Sequence, residues 1–93
     1  MLFRSGLITV ALPVGQARKL AGRPMIRSFG VPVEADLDDF IADAGDAATR
    51  AWEPGGDAAK TLEAVRLAVR RCATLWTGKK PTIDVSVMEI GAR

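Results

Sequence analysis

The side chains best able to do chemistry fall into two blocks of opposite charge. Glu34, Asp36, Asp38, Asp39, Asp43 and Asp46 follow one another with no base between them, and Arg66, Arg70, Arg71, Lys79 and Lys80 with no acid. A carboxylate cluster can hold a divalent cation or share a proton only when ligands converge from more than one element. Here five of the six acids belong to one helical stretch at mixed offsets, and the chain has no histidine to complete a site. Their spacing reads as a solvated helix face with capping. The bases suit phosphate contact. On a helical wheel with Leu62 at zero, however, Arg66 lies at about 40°, Arg70 at about 80° and Arg71 at about 180°. A fan of this kind tracks a phosphate backbone less well than a stripe, and with no tyrosine and 5% aromatics there is little for bases to stack on. A solvated face that helps docking and direct RNA contact through these five bases both stay open.

Other motifs give less. Gly55-Gly56 lacks the pattern of a phosphate-cradling loop, and Gly78-Lys79-Lys80 follows a helix where such a loop would precede one. Cys72 falls on a helical core stripe, where a thiol acts as a small hydrophobe. Leu67 at about 140° and Leu75 at about 220° on the same wheel point away from that core and are candidate contacts for another protein surface. Trp52 and Trp76 fall at helix ends, where each either caps the core or anchors an interface.

These residues must be positioned by a small framework. Ninety-three residues allow one domain, residues 1–93, with a thin core. Hydrophobic residues at 48% and charged residues at 26% are those of a globular chain, and the net charge of +2 says less than its distribution. The absence of histidine excludes His-based zinc sites and Ser-His-Asp chemistry, and a single cysteine excludes an intrachain disulfide. No apolar run approaches the roughly 20 residues of a membrane span, and no signal peptide is evident at the start, so a cytoplasmic protein with no membrane partner is expected.

Period-two alternation over Leu7–Val14 puts Ile8, Val10, Leu12 and Val14 on a core face and predicts a strand, with Pro13 near its end or on an edge. A polar, turn-rich stretch leads to a second strand over Met25–Val33, antiparallel to the first, with Phe29, Val31 and Val33 on one face; Gly30 and Pro32 suggest an irregular end. From Leu37 the period becomes helical, with Asp36 as N-cap and Glu53-Pro54-Gly55-Gly56 as the stop. Asp57 caps a second helix to about Trp76 with Leu62, Val65, Val69, Cys72 and Trp76 as its core stripe. Thr82–Ile90 alternates as a third strand. The expected fold class is α+β: a two-layer domain, order β-β-α-α-β, with both helices on one face of a three-stranded sheet. Its core comprises Val10, Leu12, Phe29, Phe40, Ile41, Leu62, Val65, Val69, Ile83, Val85 and Val87. The other sheet face carries Leu7, Thr9, Ala11, Met88 and Ile90, a mixture poorly suited to full exposure.

The order of these segments resembles the C-terminal domain of ribonuclease J, a metallo-β-lactamase/β-CASP ribonuclease. The similarity is strongest over VRLAVRRCATLWTGKKPTIDVSVMEI (Val65–Ile90): a basic helix, a threonine-glycine with a basic doublet before proline, and a closing strand. GRPMIRSFGVPV (Gly22–Val33) resembles the family's second strand, although the Ser-Arg-Gly-Phe order often found there reads Arg27-Ser28-Phe29-Gly30. MLFRSGLITVAL resembles the junction where the family's preceding linker enters this domain, and the resemblance implies an internal position for Met1, with a fragment and a complete protein both left open. The resemblance implies a parent that degrades RNA from a 5′-monophosphorylated end and internally, with zinc held by an HxHxDH motif in other domains. No catalytic residue, metal ligand or cofactor carries over to this chain. What carries over is an accessory role in oligomer assembly and full activity, with the parent's catalytic domains and a second copy as partners and RNA reached through the parent. Leu7, Leu67, Leu75 and Trp76 are the candidate interface residues, and Arg66, Arg70, Arg71, Lys79 and Lys80 the candidate RNA contacts. Two alternatives stand beside this reading: a free-standing RNA-binding module using the Arg66–Lys80 bases, and a small regulatory ligand-binding α+β domain.

Overall fold

A computed structural model describes residues 6–31 and 36–90. The elements are β1 (Leu7–Val14), β2 (Met25–Phe29), α1 (Leu37–Ala51), α2 (Ala58–Thr77) and β3 (Thr82–Glu89), in the expected β-β-α-α-β order. The sheet order is β2-β1-β3, with β1 antiparallel to β2 and parallel to β3. The most apolar strand is thus the central one. A parallel neighbour requires a long crossover, and the two helices supply it. Strand direction cannot be read from alternation, because antiparallel and parallel partners show the same period.

Ile8, Val10 and Leu12 are fully buried, and so are Phe40 and Ala44 of α1 and Val65, Val69 and Ala73 of α2. Each fully buried Val, Leu, Ile or Phe side chain contributes about 1.5 to 3 kcal/mol through removal from water. Ala44, Ala47 and Ala48 give α1 a small-residue face that lets the branched side chains of α2 pack closely. Ile41, Leu62 and Val85 lie at the border of this core, partly buried.

Two expected core residues are elsewhere. Register places Ile26 beside Val10 and Ser28 beside Ile8, so these two face the helices while Phe29, opposite Leu7, faces away and is 51% exposed. Phe29 and Val31 therefore do not share a face: β2 ends at Phe29, Gly30 turns the chain with φ +70°, and Val31 beyond it packs against the border of the core. Val33 and Pro32 lie outside the described residues. Val87 is on the helix side of β3, but at the end where α2 begins; it lines a hollow of about 260 Å³ with Val14, Trp52 and Leu62 and is 39% exposed.

Local signals account for the ends. Pro13 sits where β2 has already stopped pairing with β1, and its carbonyl accepts the Ala21 N–H at 2.7 Å. Gly6, which opens β1, has φ +98°; a Cβ there would stand 2.7 Å from Val31 Cγ2 and 2.9 Å from the Gly30 carbonyl, so only glycine fits between the two strand ends. Asp57 caps α2 by accepting the Lys60 N–H at 3.0 Å, and Gly78, left-handed at φ 72°, ends that helix. Asp36 occupies the N-cap position of α1, but its carboxylate accepts no backbone N–H among the described residues, so the expected side-chain cap is not made.

Candidate functional site

Three surfaces of the domain could meet another molecule. The first is the sheet face turned away from the helices, which no described element covers. Its three rows follow from register: Phe29–Leu7–Thr82, Arg27–Thr9–Asp84 and Met25–Ala11–Ser86 across β2, β1 and β3. Met25 is 55% exposed, and Leu7, Thr9 and Ala11 are half-buried between their neighbours. The large side chains lie on the β2 side and the small ones on the β3 side. The central row carries a positive charge at one end and a negative charge at the other. Beyond Ala11 the exposed Met88 extends the face on β3, while its β1 neighbour Pro13 is buried beneath the β1–β2 connection.

The second surface is a groove of about 330 Å³ between the two helices on the side away from the sheet. It is lined by Asp43, Ala47, Arg50, Ala51, Ala68, Arg71, Cys72 and Leu75. Leu75 is 84% exposed at its edge, and Leu67, about two turns earlier on α2, is 40% exposed. At the groove's end Asp43 turns inward, accepting the Trp76 indole N–H at 2.9 Å, with Cys72 Sγ at 3.7 Å. Trp76 also packs edge-to-face on Phe40 at 5.9 Å. The candidate interface tryptophan is therefore engaged within the domain. Burial, with the nearby Asp43 carboxylate, pushes the Cys72 thiol from 9.0 up to about 11. A protonated, buried thiol is an inert one at neutral pH.

The third surface is the set of bases. Arg66 is held by Glu63 of the preceding turn, with contacts of 2.9 and 2.6 Å, a pairing that lowers the Glu63 carboxyl and raises the Arg66 guanidinium. Arg70 is half-buried, Arg71 borders the helix groove, and Lys79 and Lys80 are exposed in the turn after α2. The five bases are thus distributed along α2 and beyond it, and one is occupied by an acid.

One cluster escaped the sequence reading. Arg18, in a 3-10 turn with φ 57°, sets its guanidinium 5.5 Å from the Trp52 ring centroid and donates to the Gly56 carbonyl at 2.8 Å, while its own carbonyl accepts the Trp52 indole N–H at 2.7 Å. This clamp joins the β1–β2 connection to the α1–α2 turn and makes Trp52 a cap over the core. No periodicity signals it, since Arg18 and Trp52 are 34 residues apart.

Among the described residues no group of three or more His, Cys, Asp or Glu side chains could hold a metal ion, and no helix is long and apolar enough to cross a membrane. The donor set does not fit a zinc centre. Fold and surfaces together define a small α+β domain whose prominent features are an open sheet face and a groove between its two helices. The family model for the ribonuclease J C-terminal domain matches residues 1–90, and the chain belongs to that family. It is the accessory C-terminal domain type of an RNA-degrading nuclease. No curated protein matches the chain.

Proposed function

We propose that this domain is an assembly module of a ribonuclease J-like enzyme, pairing with a second copy through its open sheet face, while hydrolysis belongs to zinc-holding catalytic domains of the parent. The observation that carries this reading is the pattern of the three cross-strand rows. A two-fold axis running along β1, midway between two facing sheets, sets Arg27 of each copy over Asp84 of the other. It also sets Phe29 over Thr82 and Met25 over Ser86, large side chains against small. Self-complementarity of this kind is what an isologous interface requires. A three-stranded face measures roughly 14 by 20 Å, which is small beside a standard interface, so the domains alone associate weakly and gain strength when the parent supplies further contacts.

Charge exchange tests the geometry by sedimentation of the 93-residue chain. Arg27→Asp puts acid over acid and Asp84→Arg puts base over base, so each single variant is expected to be monomeric where the parent sequence self-associates. The double exchange restores the pairs and the association. Association that ignores the single exchanges, or a double variant no better than either single one, removes the sheet face from the interface. The RNA-binding reading has the exposed Lys79 and Lys80 in its favour, and predicts single-stranded RNA binding lost steeply with salt and unchanged by the Arg27 and Asp84 exchanges.

A further inference from the structure

The helix groove is on the opposite side of the molecule from the sheet face, is lined by α1 and α2 alone, and stands on separate observations. Its floor is alanine: Ala47 and Ala51 from one helix, Ala68 from the other. Small side chains at these positions leave room for another backbone to approach closely. Leu75 stands out into water at one edge, and Leu67, about two turns earlier on α2, is also exposed outside the groove. Asp43 to Ala51 spans about 12 Å along α1, two turns of a helix laid beside it. The groove therefore has the floor, the apolar edge and the length of a helix-in-groove site.

Its charge says which helix. Arg50 and Arg71 flank the alanine floor, one from each side, and among the described residues neither makes a hydrogen bond or ion pair. The lining acid, Asp43, is directed to Trp76 and Cys72, and Asp46, further round α1, is paired with Arg23 at 2.8 Å. Two guanidiniums on either side of an apolar floor match a segment whose apolar stripe is bordered by carboxylates. Nucleobases match it less well, because no aromatic face lines the groove for them to stack on.

We propose that the α1/α2 groove docks an acidic amphipathic helix of another protein, its leucine side chains packing on Ala47, Ala51, Ala68 and Leu75 and its carboxylates pairing with Arg50 and Arg71. The probe is a labelled helical peptide with leucine at every third or fourth position bordered by glutamates, titrated against this chain by fluorescence anisotropy, with a version carrying lysine for glutamate as control. Saturable binding of the acidic peptide is expected, weakened about tenfold or more by Arg50→Glu or Arg71→Glu and left within about twofold by Arg70→Glu, which lies off the groove. Backbone amide shifts should move at Ala47, Ala51, Ala68 and Leu75. Arg50 and Arg71 are exposed and Arg70 is half-buried, and far-UV circular dichroism of each variant checks that it is folded. The proposal is overturned by no binding up to about 1 mM, by equal binding of the lysine peptide, or by shifts that map elsewhere. It is also overturned if a single-stranded RNA oligomer displaces the peptide and loses affinity with the same two arginine variants, since the groove is then a nucleic-acid site.

Discussion

The two faces of the sheet are built from the same three strands and differ in almost everything else. On the helix side Ile8, Val10 and Leu12 are completely buried, and Ile83 nearly so. On the other side Met25, Phe29 and Met88 stand beside Arg27, Asp84 and Ser86, all exposed to water. The first face is uniform in chemistry because its role is burial. The second alternates large with small and positive with negative across the strands, a pattern that burial against helices would not tolerate but a matching copy can use. Hydrophobicity alone does not separate the two, because Phe29 and Met25 are as apolar as Ile26. Register separates them, through the partner that each residue meets on β1.

Exchanging Phe40 or Phe29 for alanine gives the largest expected contrast. Phe40 is fully buried between the helices and the sheet and packs on Trp76, so Phe40→Ala should cost about 3 to 5 kcal/mol through lost transfer energy and a cavity. Phe29→Ala removes a half-exposed ring from the open face and should cost less than about 1 kcal/mol of monomer stability, its effect appearing in self-association. Urea midpoints for the two variants measure the difference. Similar midpoints would mean that the open face is a second core.

Much of this contrast was legible in the sequence. The alternation of Leu7–Val14 identified the buried side of β1, the three- and four-residue steps of Val65, Val69 and Cys72 identified the buried side of α2, and Asp57 and Gly78 marked its ends. What could not be read was set by partners distant along the chain. Phe29 was placed on the wrong face because a five-residue strand that ends in a left-handed glycine carries too few alternations to fix its phase. The parallel pairing of β1 with β3 leaves no trace in either strand. Of the candidate site, Leu67, Leu75 and Arg71 were found from the helical wheel, but Arg50, Ala47 and Ala51 lie on a different helix and join them only through packing. The Arg27–Thr9–Asp84 row likewise exists only once three strands are in register.

A smaller effect sharpens the line between the core and the groove. Asp43 reads in sequence as one member of a solvated acidic face, yet it accepts the Trp76 indole N–H and lies against Cys72. Asp43→Ala should therefore cost about 1 kcal/mol, more than a plain surface acid, because it leaves the indole N–H without its acceptor. The same environment gives a pH signature. The Cys72 thiol is raised in the folded state to about 11 from 9.0, so the native protein holds that proton more tightly than the unfolded chain. The associated stability is fully present below about pH 9 and is lost as the pH climbs towards 11. Denaturation of the parent sequence and of Cys72→Ala, compared across that window, isolates this contribution: the difference between them should narrow with rising pH. A constant difference means that the thiol is not shielded as described.

The smallest expected contrast is between the two helix starts, where the same residue type performs different work. Asp57 accepts the Lys60 backbone N–H at 3.0 Å, satisfying one of the donors that the first turn of α2 would otherwise leave to water. Asp36 stands at the matching position of α1 without such a bond among the described residues, and Asp38 and Asp39 already place negative charge in that first turn. Asp57→Ala should therefore cost about 1 kcal/mol, the usual value of a capping side chain. Asp36→Ala loses only part of a screened charge–dipole interaction, a few tenths of a kcal/mol at low salt and less at high salt. Hydrogen exchange at the Lys60 amide gives a local check, since it should quicken in the Asp57 variant and stay unchanged in the other. Equal losses for the two substitutions, with equal salt dependence, would show that both aspartates act through charge alone and that the cap on α2 adds nothing of its own.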